Sequence, residues 1–112
     1  MLDFRELQRA ATYEDGYSPQ HPTIIMFWQV VNEMTVEQKK ALLSFVTGSD
    51  RVPLKGLAKL TFIVQQTGQG LDRLPTALTC FNRLLLPPYA SRAMLRERLI
   101  VAIENGKGFG LT

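Results

Sequence analysis

The sequence predicts an α+β domain, a small β-sheet packed with several helices. Three observations predict it. From Pro22 to Thr47 apolar residues recur at helical spacing, with one break at Thr35. Two short β-prone segments, "TFIVQ" (61–65) and "FNRLLL" (81–86), lie beyond a stretch rich in Gly and Pro. A last helical pattern opens at Ser91. Helices first, then short strands among loops, then a helix is an order that suits a small sheet covered by helices.

Taken in order, "DFRELQRA" (3–10) opens on Asp3, a suitable N-cap, and sets Phe4, Leu7 and Ala11 on one face. "TYEDGY" reads as an extended piece and a turn at Asp15-Gly16, and "SPQHP" as a loop. Pro22 suits a first helical position, where its missing N–H costs nothing. Helix 22–34 then buries Ile24, Phe27, Trp28, Val31 and Met34 as a core stripe. Thr35-Val36-Glu37-Gln38 has the spacing of a capping box. It starts a second helix that runs to Thr47, buries Leu42, Leu43, Phe45 and Val46, and stops at Gly48. With no linker between them, the two helices are expected to form a tight angled pair. "GSDRVPLKGLAKL" (48–60) is loop and turn, and "QTGQGLDR" a flexible connection between the two predicted strands. Pro87-Pro88 stops the second strand. Ser91 caps a helix through Asn105 with Leu95, Leu99, Ala102 and Ile103 inward, and the tail "KGFGLT" is too short to pack as an element.

The chain has 112 residues, enough for one domain with a single core and no disulfides. One cysteine, Cys80, and one histidine, His21, exclude a disulfide framework, a multi-cysteine metal site and a histidine-rich one. No cofactor or metal is expected. A reducing compartment, cytosol or nucleus, is the natural setting. No apolar run approaches the roughly 18 residues of a membrane span, and no signal peptide is visible after Met1. The formal charge is +3, but the basic residues are scattered rather than striped beside aromatics, which argues against a nucleic-acid partner.

Cys80 sits in "RLPTALTCFNRLLLPPY" (73–89), bracketed by prolines. As a residue type, unpaired cysteine favours burial as a small hydrophobe. A cysteine-protease role would need a general base, and the lone His21 reads better as an exposed helix-start residue. Acyl transfer between thiols asks for less. Thioester exchange conserves bond type, and a thiolate is intrinsically nucleophilic without a strong base. Such a site needs an exposed thiol, a strand or loop to align the incoming tail, and donors near the developing oxyanion. Thr79, Asn82 and the local backbone amides are candidates for that last role.

"LPTALTCFNRLLLPPY" closely resembles the active-site segment of HECT-type E3 ubiquitin ligases. "TYEDGY", "HPTIIMFWQVV", "LLSFVTGSDRVPLKGL" and "AIENGKGFGLT" resemble the same family in its order and spacing, so the likeness covers essentially all of residues 1–112. What matches is the C-terminal lobe of the HECT domain. The N-terminal lobe, which the family uses to bind the E2 enzyme, has no counterpart here. The chain therefore reads as an excised lobe, with Met1 as the start of the excised piece and the inter-lobe hinge at or before residues 1–3.

The resemblance implies roles. Cys80 accepts the C-terminal glycine of ubiquitin as a thioester and passes it to a lysine of a protein substrate. Leu74 and Thr79, with Asn82 beside them, hold the ubiquitin tail. Phe109, fourth from the chain end, serves the lysine-transfer step, or folds back onto the lobe's own core. The lobe alone is expected to be weak or inactive, because E2 docks on the other lobe. Many members of the family carry a histidine where this chain has Leu78. That departure, with the "HPTIIMFW" block, resembles the HECT ligases that bear RCC1-like repeats, some of which conjugate a ubiquitin-like modifier. The alternatives to a ubiquitin-transferring lobe are therefore a non-catalytic ubiquitin-binding or regulatory lobe, or transfer of a ubiquitin-like modifier.

Overall fold

The computed structural model describes residues 4–48, 60–68 and 73–106. Helix α1 (Phe4–Ala10) leads into strand β1 (Thr12–Glu14), followed by α2 (Pro22–Glu33) and α3 (Val36–Thr47). Strands β2 (Ile63–Gln66), β3 (Thr76–Leu78) and β4 (Arg83–Leu86) come next, and α4 (Arg92–Gly106) closes the described chain. Among the described residues, four α-helices and a four-stranded mixed sheet make this an α+β fold, as the sequence predicts.

Local chemistry explains the helix ends. His21 caps α2: its Nδ1 accepts the Thr23 amide at 3.1 Å, and Pro22 opens the first turn. The Thr35 hydroxyl accepts the Gln38 amide at 3.1 Å while the Gln38 side chain accepts the Thr35 amide at 3.0 Å, so the capping box forms in both directions. Gly48 ends α3 with φ +80, and its amide donates to the Ser44 carbonyl at 2.8 Å. The Ser91 hydroxyl accepts the Met94 amide at 3.1 Å at the head of α4.

The sheet order is β1-β2-β4-β3. β1 and β4 each run parallel to β2, and β3 pairs antiparallel with β4. Alternation along β2 and β4 buries Val64, Leu84 and Leu86 on one face. Against that face pack Ile24, Phe27 and Val31 of α2, Leu42, Leu43 and Val46 of α3, and Leu95, Leu99 and Ile103 of α4, all in one buried cluster with Phe62. Trp28 meets Phe27 and Phe62 edge to face, with ring centroids 4.9 and 6.0 Å away, and its Nε1 donates to the Tyr13 hydroxyl at 3.1 Å. On the opposite face Arg83 of β4 donates to Glu14 of β1 and, at 2.8 Å, to Gln65 of β2, so one guanidinium ties three strands.

Four expectations change. α2 and α3 are not a self-contained pair: each packs more extensively on α4 than on the other. The aromatic ring of Phe45 is only half buried, while Ala41 takes an inward position on α3. The expected strand at 81–86 begins at Arg83, because Thr79–Phe81 form a single 3-10 turn and Asn82 is left-handed. β3 is a strand that composition does not announce; three residues become a strand here through their register with β4. Asp3, most of the 48–60 stretch and the KGFGLT tail lie outside the described residues.

Two buried phenols cross the fold. The Tyr17 hydroxyl donates to the Leu86 carbonyl at 2.8 Å, and the Tyr89 hydroxyl donates to the Arg73 carbonyl. Burial pushes Tyr89 up from 10.0 to about 12, against the opposing pull of Arg98. Burial raises Tyr17 as well, with Tyr89 nearby adding to the effect. A folded phenol that keeps its proton to higher pH than the unfolded one contributes stability that is whole below the unfolded value and is lost as pH rises through the folded one. We therefore expect the urea midpoint to fall between about pH 10 and about pH 12, and the fall to be shallower in a Tyr17→Phe, Tyr89→Phe double variant. An equal fall in both proteins would remove the phenols as its source.

At Gly48 an added Cβ would stand 3.7 Å from Cβ of Thr79, an ordinary contact, so space is not the obstacle. The left-handed backbone is. Gly48→Ala is expected to cost about 1–2 kcal/mol, read as a lower urea midpoint at unchanged slope.

Candidate functional site

The hairpin formed by β3 and β4 carries the thiol. Its ladder pairs Thr76 with Leu85, Ala77 with Leu84 and Leu78 with Arg83, and the connection Thr79–Asn82 forms the tip. Thr79–Phe81 make one 3-10 turn, closed when the Asn82 amide donates to the Thr79 carbonyl at 3.3 Å. Asn82 then reverses the chain at φ +52, a conformation that asparagine adopts more readily than most residues. Its carbonyl accepts the Ile63 amide at 3.1 Å, which fastens the tip to the start of β2. The C-terminal end of α3 lies against the same turn, with Gly48 next to Thr79.

Cys80 sits at the centre of this turn and is exposed. The residue-type preference for burial is thus overridden. A one-turn helix at a hairpin tip has no inward face, and none of its residues is buried. Thr79 is exposed beside it and Asn82 half buried. Leu74 precedes β3 and is 40% exposed. Leu78 ends β3 and is 44% exposed, and Phe81, next to the thiol in sequence, is 62% exposed, so exposed apolar residues flank Thr79-Cys80 along the chain. The structure brings Leu78, Thr79, Cys80, Phe81 and Asn82 together at the tip and sets Leu74 two residues ahead of β3, at the open end of the hairpin. Phe109 lies outside the described residues.

β3 is the last strand of the sheet, and among the described residues no strand lies on its far side. Its backbone groups on that side are what an extended peptide pairs with when it adds a strand. An exposed thiol at the end of such an edge can take an acyl group from a carbonyl that the edge has aligned. His21 is engaged as the α2 cap through Nδ1 and meets Tyr17 edge to face at 4.8 Å, which fits a structural residue better than a base for Cys80. Among the described residues no group of three or more His, Cys, Asp or Glu could hold a metal ion, and no helix is long and apolar enough to cross a membrane.

Residue patterns alone point to neither tyrosine, nor to the Arg83 tie. The available signal for Tyr89 was its place directly after Pro87-Pro88: a buried tyrosine hydroxyl needs a partner, and the prolines leave carbonyls in want of donors nearby.

Comparison with known proteins gives the family. The model of the HECT-domain (ubiquitin-transferase) matches residues 1–112. The chain is 45% identical over 109 residues to the human protein named probable E3 ubiquitin-protein ligase HERC4, and 44% identical over 109 residues to human HERC3, named in the same way. It is 48% identical over 110 residues to mouse probable E3 ubiquitin-protein ligase HECTD2. These matches cover 97% of this chain for HERC4 and HERC3, and 98% for HECTD2. They span 10% of the first two relatives and 14% of the third. The HERC relatives fit the subgroup that the sequence suggests, although HECTD2 is as similar. With nearly every residue matched at this identity, the chain belongs to the HECT-domain family of ubiquitin transferases.

Proposed function

We propose that residues 1–112 form the C-terminal catalytic lobe of a HECT-type E3 ligase, in which Cys80 accepts ubiquitin from an E2 and passes it to a substrate lysine. The observation that carries this reading is the exposed Cys80 at the tip of a hairpin whose other strand, β3, is the sheet's free edge. The Cys80 thiolate attacks the carbonyl of the E2-bound thioester, and the E2 cysteine leaves as thiolate. One thioester replaces another, so the exchange is near balance and geometry rather than a strong base governs its rate. A lysine amine then attacks the new thioester, loses its proton, and expels the Cys80 thiolate as the isopeptide bond forms.

In this reading β3 and Leu74 receive the ubiquitin tail, and the Thr79 hydroxyl, the Asn82 amide side chain and local backbone amides face the oxyanion of each step. E2 engages the lobe that precedes this one in the family, and Phe109 assists the amine. Leu78 carries no titratable proton, so acid–base work falls to solvent, to the E2 or to the substrate. An exposed free thiol as the working group suits the cytosol or nucleus. Leu78 also favours a second reading, in which the same chemistry moves a ubiquitin-like modifier.

Two experiments test this on a protein that holds both lobes. With E1, E2 and ubiquitin, intact mass should show an adduct that thiol reductant removes, and Cys80→Ala should show none; an undiminished reducible adduct on Cys80→Ala sinks the assignment. Substituting a ubiquitin-like modifier in the same reaction separates the second reading from the first. Phe109→Ala should leave adduct formation intact while ligation to lysine falls by about tenfold or more, the scale of one lost positioning contact. Equal loss in both steps would return Phe109 to a packing role.

A further inference from the structure

The open end of the β3–β4 hairpin presents a backbone problem. The ladder runs from Leu78↔Arg83 to Thr76↔Leu85 and extends no further. Continuing its register sets Pro75 opposite Leu86, Leu74 opposite Pro87 and Arg73 opposite Pro88. Neither Pro87 nor Pro88 has an N–H to donate, and Pro75 has none to offer in return. The segment that leads into β3 therefore receives no ladder bond from the prolines opposite it.

Tyr89 fills that gap. It follows the two prolines directly, and its amide donates to the Pro87 carbonyl at 2.8 Å, which turns the chain tightly. Its ring is sealed, 1% exposed, and its hydroxyl donates to the Arg73 carbonyl, one residue before Leu74. Tyr17 reaches the other strand, at the Leu86 carbonyl. Two phenols thus hold the base of the hairpin, and only that of Tyr89 holds the β3 side.

We propose that the Tyr89 phenol is a positioning residue for β3, closing the hairpin where two prolines leave no backbone donor and so presetting the edge that aligns an extended tail beside Cys80. The proposal rests on the reading of Cys80 as an acceptor. Without the hydroxyl the ring stays packed, but Arg73, Leu74 and Pro75 lose their fastening. The lead-in to β3, which has lost the donor to its Arg73 carbonyl, then has to be ordered each time a tail arrives, although β3 itself stays paired with β4 and packed on α3. The thiol itself, which the 3-10 turn and Asn82 position, is untouched.

The test compares Tyr89→Phe with Tyr17→Phe in the protein that holds both lobes. Three readouts are taken: single-turnover formation of the reducible ubiquitin adduct, alkylation of Cys80 by iodoacetamide resolved at the peptide level, and amide exchange over residues 74–78. Tyr89→Phe should slow adduct formation about three- to tenfold, the weight of one neutral hydrogen bond, and speed exchange at 74–78, with alkylation unchanged. Tyr17→Phe, which loses a comparable buried bond on β4, should leave all three as they are. Adduct formation by Tyr89→Phe at the unsubstituted rate overturns the proposal. So does equal slowing in Tyr17→Phe, slowed alkylation, or loss of the folded state at assay temperature, each of which assigns the hydroxyl to general stability. Absence of any adduct on the unsubstituted protein removes the acceptor reading itself, and the proposal with it.

Discussion

β4 pairs with β2 on one side and with β3 on the other, and the position of the thiol depends on it. Its parallel pairing with β2 and the sealed side chains of Leu84 and Leu86 fix it against the helices. Its antiparallel pairing with β3 hangs a hairpin at the sheet's edge. A slip of one residue against β2 would carry Leu84 and Leu86 to the outer face and Arg83 into the core, so that register is specified by burial. Arg83, bound to Glu14 and Gln65, reinforces the same register from the outer face. A partly exposed ion pair contributes little stability by itself; a guanidinium that touches three strands works as a gauge of alignment.

That arrangement reconciles two demands. In the proposed role, Cys80 has to be reachable by a large partner while the backbone around it presents one geometry. Exposure is obtained by placing Cys80 in a single 3-10 turn, which has no inward face. Rigidity comes from what flanks the turn: the Asn82 carbonyl bonded to β2, the end of α3 against Thr79, and the phenol of Tyr89 at the β3 side of the hairpin's base. Cys80 stays exposed among these supports.

What could be read from residues and what could not divides along the range of the interactions. The capping box at Thr35 and Gln38, the proline start of α2 and the stop at Gly48 are written within a few neighbours, and they form where the pattern puts them. The stripe from Ile24 to Met34 is periodic and long, and it is buried as its spacing requires. β3 has no such signature: Thr76, Ala77 and Leu78 become a strand because β4 lies beside them. The late start of β4 reflects a left-handed Asn82 that apolar content does not encode. The preference of α2 and α3 for α4 over one another is likewise a property of the assembled core. Cys80 is the sharpest case. Its type argues for burial, and only the surrounding blocks, taken as a likeness to a family, argue for exposure; the hairpin geometry supplies the physical reason.

Leu78 shows how far the chemistry can lean on geometry. Its side chain cannot donate to an oxyanion or carry a proton. A hydrolase built on such a site would lack its base. Thioester exchange differs, because the attacking and leaving groups are both thiolates and the bond broken is equivalent to the bond made. What remains to be supplied is proximity and orientation, worth several orders of magnitude when the reacting atoms are held in line. An edge strand preset beside an exposed thiol is suited to supply that. Under the proposed reading the leucine does not disable the site; it shifts the burden from proton transfer to alignment, which an edge strand paired with β4 can supply.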